Sequence, residues 1–274
     1  MTIDAGADPK RVAIVTGAGR GIGRAMALGL VQAGIRVVAT SARERTEINA
    51  VAAEAGTDQV IPILADVTRE TDAQRVVAVA LEQFGRLDIL VNNAGRGMRY
   101  ISEAFMTEPT RFWKVEPETW RMVIDTNVNG PFLMARTATP HMVRAGWGRI
   151  VNISINHSTM RRAGFSPYGP SKAALESETI IWAQDLRGTG VTVNALLPGG
   201  ATLTGMIPAG FPESARGRLL DPAIMVPPLL WLVSDEANAI SGRRVIANQW
   251  DGANPLAATE DTGWGCKVAG QPAT

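Results

Sequence analysis

The stretch VAIVTGAGRGIG, from Val12 to Gly23, decides the fold of this chain. Its first five residues, Val12–Thr16, predict a short buried strand, and the Ala-, Met- and Leu-rich segment Arg24–Ala33 after it predicts a helix. Glycines at such a strand-to-helix turn let the backbone approach a diphosphate, and the helix N-terminus offers free N–H groups to an anion. The stretch therefore predicts a nucleotide site; a tight turn without a ligand is the alternative.

Along the rest of the chain, strand candidates alternate with helix-length segments. This alternation predicts right-handed crossovers in one α/β domain, a doubly wound parallel sheet with helices on both faces, which is the Rossmann fold. We expect residues 1–251 to form this dinucleotide-binding and catalytic domain, and residues 252–274 to form a tail that packs at a subunit contact. The further predicted strands are Arg36–Thr40, Val60–Leu64, Ile89–Asn92, Arg149–Ser154, Thr192–Leu197 and Arg244–Ile246. The further predicted helices are Thr46–Ala55, Thr71–Phe84, Glu118–Ala138 and Ser171–Leu186.

Composition argues against several classes of protein. The 274 residues carry 27 Lys and Arg against 26 Asp and Glu, and this balance gives no electrostatic reason to expect nucleic acid or an anionic membrane. Cys266 is the only cysteine, and the first ten residues lack a signal-peptide core, so we expect a soluble, cytoplasmic protein. His141 and His157 form no cluster with Cys266 or with carboxylates, so no metal is expected.

A second chemical motif is the stretch from Tyr168 to Lys172, which reads Tyr-Gly-Pro-Ser-Lys. On a helix, residues four apart lie on one face, which brings the phenol and the ammonium together. A neighbouring lysine favours the phenolate and is expected to lower the tyrosine pKa from its usual value of ~10. Tyr168 is therefore the candidate general acid and base.

The chain resembles the short-chain dehydrogenase/reductase family over nearly its whole length. The resemblance rests on six motifs in the family's order: the Thr16–Gly23 turn, Asp66-Val67-Thr68, Asn92-Asn93-Ala94-Gly95, Asn127, Tyr168 with Lys172, and Pro198-Gly199. It implies hydride transfer between a nicotinamide cofactor and a carbonyl or alcohol. It also implies a cofactor site made of Gly17, Arg20, Gly21, Ile22, Gly23, Asp66, Val67, Asn93, Ala94, Gly95, Tyr168, Lys172, Pro198, Gly199 and Thr204.

Charge after the second strand bears on which cofactor is bound. An acidic residue there would accept hydrogen bonds from a free ribose 2′-hydroxyl and repel a 2′-phosphate. This chain has Ser41 in that position, with Arg43 nearby and Arg20 in the glycine turn. Because a guanidinium suits phosphate recognition, we expect NADP(H), with NAD(H) as the alternative.

The catalytic set departs from the family at one position. Asn127 fits the family's asparagine, which would hold a water in a proton relay to the lysine. The family's serine commonly lies thirteen residues before the tyrosine, where this chain has Ile155, which cannot donate a hydrogen bond. We expect Ser154 to take the serine's role, with Asn156 as the alternative. Asn156 and the neighbouring His157 are also candidate substrate-binding residues.

The substrate is the least defined part of the prediction. Arg96–Pro117 and Pro198–Pro222 are the candidate substrate loops, and Phe105, Phe112, Trp113, Met206, Ile207 and Phe211 within them suggest a bulky apolar ketone, aldehyde or alcohol. A reductase of imines or of other C=N or C=C bonds is one alternative, and a cofactor-binding protein with little turnover is another. Relatives assemble as tetramers or dimers, so a homotetramer or homodimer is expected.

Overall fold

An eight-stranded sheet forms the centre of the protein in a computed structural model that describes residues 10–56 and 58–261. The strand order is β3-β2-β1-β4-β5-β6-β7-β8. Neighbours from β3 to β7 are parallel, and β8 is antiparallel to β7. The strands are β1 (Val12–Val15), β2 (Arg36–Ser41), β3 (Val60–Leu64), β4 (Ile89–Asn92), β5 (Gly148–Ile153), β6 (Val191–Leu197), β7 (Arg243–Ile246) and β8 (Thr259–Asp261).

Helices cover both faces of the sheet, which confirms the predicted fold class. The α-helices are α1 (Gly21–Gln32), α2 (Arg45–Ala55), α3 (Glu70–Phe84), α4 (Pro117–Ile124), α5 (Gly130–Ala145), α6 (His157–Met160), α7 (Tyr168–Asp185), α8 (Glu213–Arg216) and α9 (Val226–Leu232). Among the residues the structure describes, none of these helices is long and apolar enough to cross a membrane.

The hydrophobic core lies in two layers because the central strands are buried on both faces. Along β1, Val12 and Ile14 join the layer that contains residues of α3 and α5, such as Met134. Ala13 and Val15 point the other way and join the layer that contains residues of α1 and α9. All four β1 side chains are fully buried, which explains the continuous apolar run at this point of the sequence.

Two elements differ from the sequence predictions. The helix predicted over 118–138 is divided into α4 and α5 by a π-helical turn at Asp125–Asn129, and α5 continues past Pro140 to Ala145. The sheet also extends past residue 251, because Thr259–Asp261 pairs with Arg243–Val245 as β8. The expected tail beyond this strand, with Trp264 and Cys266, lies outside the described residues.

The strand order reverses between β1 and β4, and this reversal places the site. The chain runs outward to β3 on one side and to β7 on the other, so the connections after β1 and β4 leave in opposite directions. In open α/β sheets, ligands bind in the crevice outside the carboxyl ends of the strands at such a point. The glycine turn after β1 and the segment Asn93–Gly95 after β4 both border this crevice.

Candidate active site

The glycine-rich turn joins β1 to α1 at the carboxyl edge of the sheet. Gly17 and Gly21 have φ angles of 64° and 53°, a region that glycine adopts without steric cost. A Cβ added to Gly23 would lie 2.1 Å from the Gly17 carbonyl oxygen and 2.4 Å from Asn93 Nδ2. The turn is therefore packed closely on itself and on Asn93 at Gly23, which is the close packing that the third glycine of a dinucleotide-binding turn allows.

Asn93 fastens the end of β4 to this turn. Its Nδ2 donates to the carbonyl oxygens of Thr16, at 2.8 Å, and Gly17, at 3.0 Å. Its backbone N–H donates to Thr16 Oγ1, as does that of Ala94. The Asn93 amide is thus committed to backbone groups, and it supports the cavity wall that Ala94 and Gly95 continue.

The end of the cavity beyond the glycine turn carries charges of both signs. Ser41 and Arg43 line it, as the sequence predicts, together with Arg20. A carboxylate that the sequence analysis overlooks, that of Glu47 on α2, lies 3.4 Å from Arg20 Nη1. A carboxylate beside this arginine competes with an incoming phosphate for the guanidinium.

Asp66 and Val67 form another part of the wall, between β3 and α3. Asp66 Oδ1 accepts hydrogen bonds from the backbone N–H and the hydroxyl of Thr68, at 3.0 Å and 2.8 Å. A carboxylate has two oxygens, so these two hydrogen bonds do not use Oδ2. Val67 packs against the start of α5, where a Cβ on Gly130 would lie 2.7 Å from Val67 Cγ2.

Tyr168 and Lys172 occupy the first turn of α7 and line the same cavity. Lys172 Nζ donates to the carbonyl oxygen of Ile153, at 2.7 Å. Burial lowers the pKa of Lys172 to about 8, although the charge of Glu176 opposes this shift. Burial also raises the pKa of the Tyr168 phenol to about 12. The expected lowering of the tyrosine pKa is therefore wrong for this structure, in which loss of water around the phenol raises the pKa.

Asn127 lies at the centre of the π-helical turn and is fully buried. Its Oδ1 accepts from the backbone N–H of Arg96 at 2.8 Å, and its Nδ2 donates to the Arg96 carbonyl at 3.0 Å and to Ser171 Oγ at 2.9 Å. A Cβ added to Gly95 would lie 3.3 Å from Asn127 Oδ1 and 3.7 Å from Lys172 Nζ. Asn127 therefore lies close to the lysine, and it anchors the start of the first substrate loop.

Ser154 lines the cavity, but the hydrogen bond that its hydroxyl makes does not match the expected catalytic role. Ser154 Oγ donates to Glu176 Oε1 at 2.6 Å, and both residues are buried. A hydroxyl has one proton to donate, so Ser154 in this arrangement cannot also donate to a substrate oxygen. The expected catalytic role of Ser154 therefore does not fit this geometry.

The two other candidates near Ser154 differ in position. Asn156 lines the cavity, and its Nδ2 donates to the Gly199 carbonyl at 2.9 Å, which leaves the second amide proton for another acceptor. His157 is absent from the cavity lining, because its Nε2 lies 3.1 Å from Glu176 Oε2. This position does not favour the expected contact between His157 and a substrate.

Two loops close over the cavity, which has a volume of about 760 Å³. They are joined where Arg99 Nη1 donates to the Gly205 carbonyl, at 2.6 Å. Met206 lines the cavity, and a Cβ on Gly97 would lie 3.2 Å from its sulfur. Of the apolar residues predicted for the pocket, Phe105, Met206 and Ile207 line it, whereas Phe112, Trp113 and Phe211 do not.

The cavity brings together every residue predicted to bind the cofactor, from the glycine turn to Pro198, Gly199 and Thr204. Sequence reasoning missed two buried charged residues behind the wall, Glu176 and Arg244. A signal for them existed: Glu176 lies one helical turn after Lys172, and Arg244 is the second of two arginines that begin the short strand β7. Within the described ranges, no group of three or more His, Cys, Asp or Glu side chains could hold a metal ion.

Known proteins share this fold. The short chain dehydrogenase family model matches residues 11–213. A 3-oxoacyl-[acyl-carrier-protein] reductase of Synechocystis is 37% identical over 191 residues, which cover 69% of this chain and 73% of the relative. The 3-ketoacyl-(acyl-carrier-protein) reductase of Brucella melitensis, solved with NADH, has a TM-score of 0.75 and 32% identity, covering 86% of this chain and 96% of that one.

A variant of actinorhodin polyketide ketoreductase, solved with NADPH, has a TM-score of 0.74 and 26% identity over 86% of this chain and 94% of that one. The family match covers residues at both ends of the cavity, because it includes the glycine turn and the Tyr168–Lys172 pair. The chain belongs to the short-chain dehydrogenase/reductase family.

Proposed function

We propose that this protein catalyses the NADP(H)-dependent interconversion of a ketone or aldehyde and its alcohol. One observation carries the proposal: Tyr168 and Lys172 line the same cavity as the glycine turn of residues 17–23. The site can therefore place an acid beside a substrate oxygen while it holds a dinucleotide. The similar reductases of ketoacyl substrates support carbonyl chemistry.

Tyr168 and Lys172 would carry out the proton transfer in this reaction. Tyr168, whose pKa of about 12 keeps the phenol protonated at neutral pH, carries the proton that a carbonyl oxygen receives during reduction. The ammonium of Lys172, one helical turn away, stabilises the phenolate that remains. When bound, the nicotinamide cofactor supplies or accepts the hydride. In the oxidation of an alcohol, Tyr168 takes the proton instead.

A preference for NADP(H) follows from the basic side chains at the far end of the cavity. Arg20 and Arg43 are both exposed there, and Ser41 adds no negative charge. Glu47 beside Arg20 limits this preference, because its carboxylate would repel a 2′-phosphate. One similar structure was solved with NADH and the other with NADPH, so proteins of this fold can bind either cofactor.

We predict that kcat/KM is higher with NADPH than with NADH, by about tenfold, the ratio that 1.4 kcal/mol of differential interaction gives. Turnover of one ketone with each cofactor measures this ratio. Ser41→Asp should reverse the preference by repelling the 2′-phosphate, whereas Glu47→Gln should strengthen it by releasing Arg20. Higher kcat/KM with NADH in the unmodified protein would overturn the cofactor assignment.

The proton relay predicts a pH dependence of reduction. Because burial lowers the pKa of Lys172 to about 8, the ammonium is present below that pH and lost above it. We expect kcat/KM for reduction to be highest below pH 8 and to fall as the pH rises through about 8, since this parameter reports groups of the free enzyme. A profile that stays flat from pH 6 to 10 would show that the lysine charge has no part in the reaction.

The proposed substrate is a carbonyl compound with a bulky apolar portion. Phe105, Met106, Phe165 and Met206 line the cavity, and Phe105 and Phe165 meet edge to face with their ring centroids 5.9 Å apart. We expect aryl ketones or long-chain 3-oxoacyl thioesters to be reduced with a lower KM than acetone or acetaldehyde. Equal KM values across such a panel would remove the apolar assignment.

We also propose that the protein assembles as a homodimer or homotetramer through α5 and α7. Phe132 on α5 and Ile181 on α7 are 46% and 51% exposed, and contact between these helices in two copies of the chain would cover both side chains. Light scattering coupled to size exclusion should give a mass of two or four chains. A monomer at micromolar concentration would contradict this assembly.

A further inference from the structure

Behind the cavity wall, Glu176 and Arg244 form an ion pair that is almost completely buried. The residues are 0% and 2% exposed, and Arg244 Nε lies 3.3 Å from Glu176 Oε1. Placing two charges in a protein interior costs several kcal/mol per ion, and an apolar pair of similar volume is often as stable. A gain in stability is therefore a weak explanation for this pair.

The glutamate contacts both ends of one short segment, residues 154–157, which we call the wall segment. Glu176 Oε1 accepts from Ser154 Oγ at 2.6 Å, and Oε2 lies 3.1 Å from His157 Nε2. The carboxylate thus joins α7 to the first and the last residue of the segment.

The arginine holds the same segment from the opposite side. Arg244 Nη2 donates to the Ile155 carbonyl at 3.0 Å, and Nη1 lies 3.2 Å from His157 Nδ1. A guanidinium only donates, so His157 Nδ1 is the acceptor and Nε2 carries the proton that is given to Glu176. Arg244 Nη1 also donates to Glu260 Oε2 of β8 at 3.1 Å, which links the last described strand to the wall segment.

The wall segment borders the proposed reaction site. Ser154, Ile155 and Asn156 line the cavity together with Tyr168, and Asn156 is joined to the Gly199 carbonyl at 2.9 Å. Glu176 and Arg244 themselves do not line the cavity. Their contacts with the wall segment therefore reach the site only through that segment, whereas the charge of Glu176 also acts on Lys172.

We propose that Glu176 and Arg244 are positioning residues, which fix the wall segment so that Ile155 and Asn156 face the substrate beside Tyr168. The inference rests on the proposed function. It gives a physical role to a buried charge pair in a site where Ile155 replaces a hydrogen-bonding serine. The negative charge of Glu176 also opposes the lowering of the Lys172 pKa. Loss of this charge would therefore affect Lys172 as well as the wall segment.

The test compares Glu176→Gln, Arg244→Met and the double variant with a matched control, Glu178→Gln. The control makes the same substitution on the same helix, at a half-buried carboxyl group whose Oε2 has no hydrogen-bond partner among the described residues. Burial raises the pKa of Glu178 to about 7, so the control is compared above pH 7, where this carboxyl is ionised. We expect Glu176→Gln to lower kcat by about 10²-fold, the cost of a displacement near 1 Å, while the Kd for NADPH is unchanged. Hydrogen exchange of the cofactor-free protein should show faster exchange at residues 154–157. The control should change neither quantity.

The double variant separates positioning from burial of an unpaired member of the pair, because it removes both the Glu176 and the Arg244 charge. We expect it to recover the thermal stability that either single variant loses, yet to keep the low kcat and the fast exchange. Full recovery of kcat in the double variant, or unchanged kcat and exchange in Glu176→Gln, would overturn the proposal. If the unmodified protein reduces no carbonyl compound, the proposed function fails. The positioning role is tested separately by hydrogen exchange: exchange at residues 154–157 in Glu176→Gln that is as slow as in the unmodified protein would refute it.

Discussion

Replacing Tyr168 with phenylalanine is expected to lower kcat by about 10²–10⁴-fold, the usual contribution of a positioned general acid. The variant loses only the hydroxyl, so the aromatic ring still fills its place at the start of α7. Because the glycine turn and Arg43 are unaffected, the Kd for NADPH should stay within the error of the measurement. Steady-state kinetics with one ketone, together with cofactor fluorescence, measure both quantities.

The control for this variant is Tyr100→Phe. Tyr100 is the only other tyrosine of the chain, and it also lines the cavity, although 47% of its surface is exposed. Its hydroxyl has no part in the proposed proton transfer, so kcat should be retained. Comparable activity of Tyr168→Phe and the unmodified protein would instead favour a cofactor-binding protein, or a reaction that needs no proton from this residue.

The second large effect is expected from Gly23→Ala. The added Cβ would lie 2.1 Å from the Gly17 carbonyl oxygen, and the contact is with backbone, so the glycine turn must move. Such overpacking typically costs about 1–3 kcal/mol. We expect a lower Tm and a Kd for NADPH raised at least about tenfold, which corresponds to 1.4 kcal/mol. Differential scanning fluorimetry with and without NADPH gives both results.

Gly210→Ala is the matched control for this substitution. A Cβ at Gly210 would meet no atom within 4 Å, so the same chemical change there has no steric cost. The Tm and the Kd should both be unchanged in the control. If Gly23→Ala bound NADPH as tightly as the control, the glycine turn would not be the dinucleotide site.

The sheet could be predicted from sequence because its central strands are buried on both faces. Their apolar runs are continuous, as in Val12–Val15, and a run of this kind allows few other interpretations. Thr259–Asp261 shows the opposite case: three polar residues, partly or fully exposed, form the antiparallel edge strand β8. Its position depends on pairing with β7, and no local pattern encodes that pairing.

The glycine turn after β1 was also predictable, since the glycines that its backbone geometry requires lie close together in the sequence. The hydrogen-bond partners of the residues around Ile155 could not be predicted from the sequence. Ser154 and His157 look like donors toward a substrate, but Glu176 and Arg244 arrive from α7 and β7 and take up both side chains. The raised pKa of Tyr168 is likewise a property of burial, which the spacing of Tyr168 and Lys172 does not reveal.

We propose that hydride transfer in this cavity runs between a nicotinamide cofactor and a carbonyl carbon, with Tyr168 as the acid. The most direct measurement uses NADPH deuterated at the transferable position, with mass spectrometry of the product formed from aryl ketones and 3-oxoacyl thioesters. We predict one deuterium at the carbinol carbon with the unmodified protein, and about 10²-fold less product or lower still with Tyr168→Phe. A product without deuterium, or equal product from both proteins, would contradict the account.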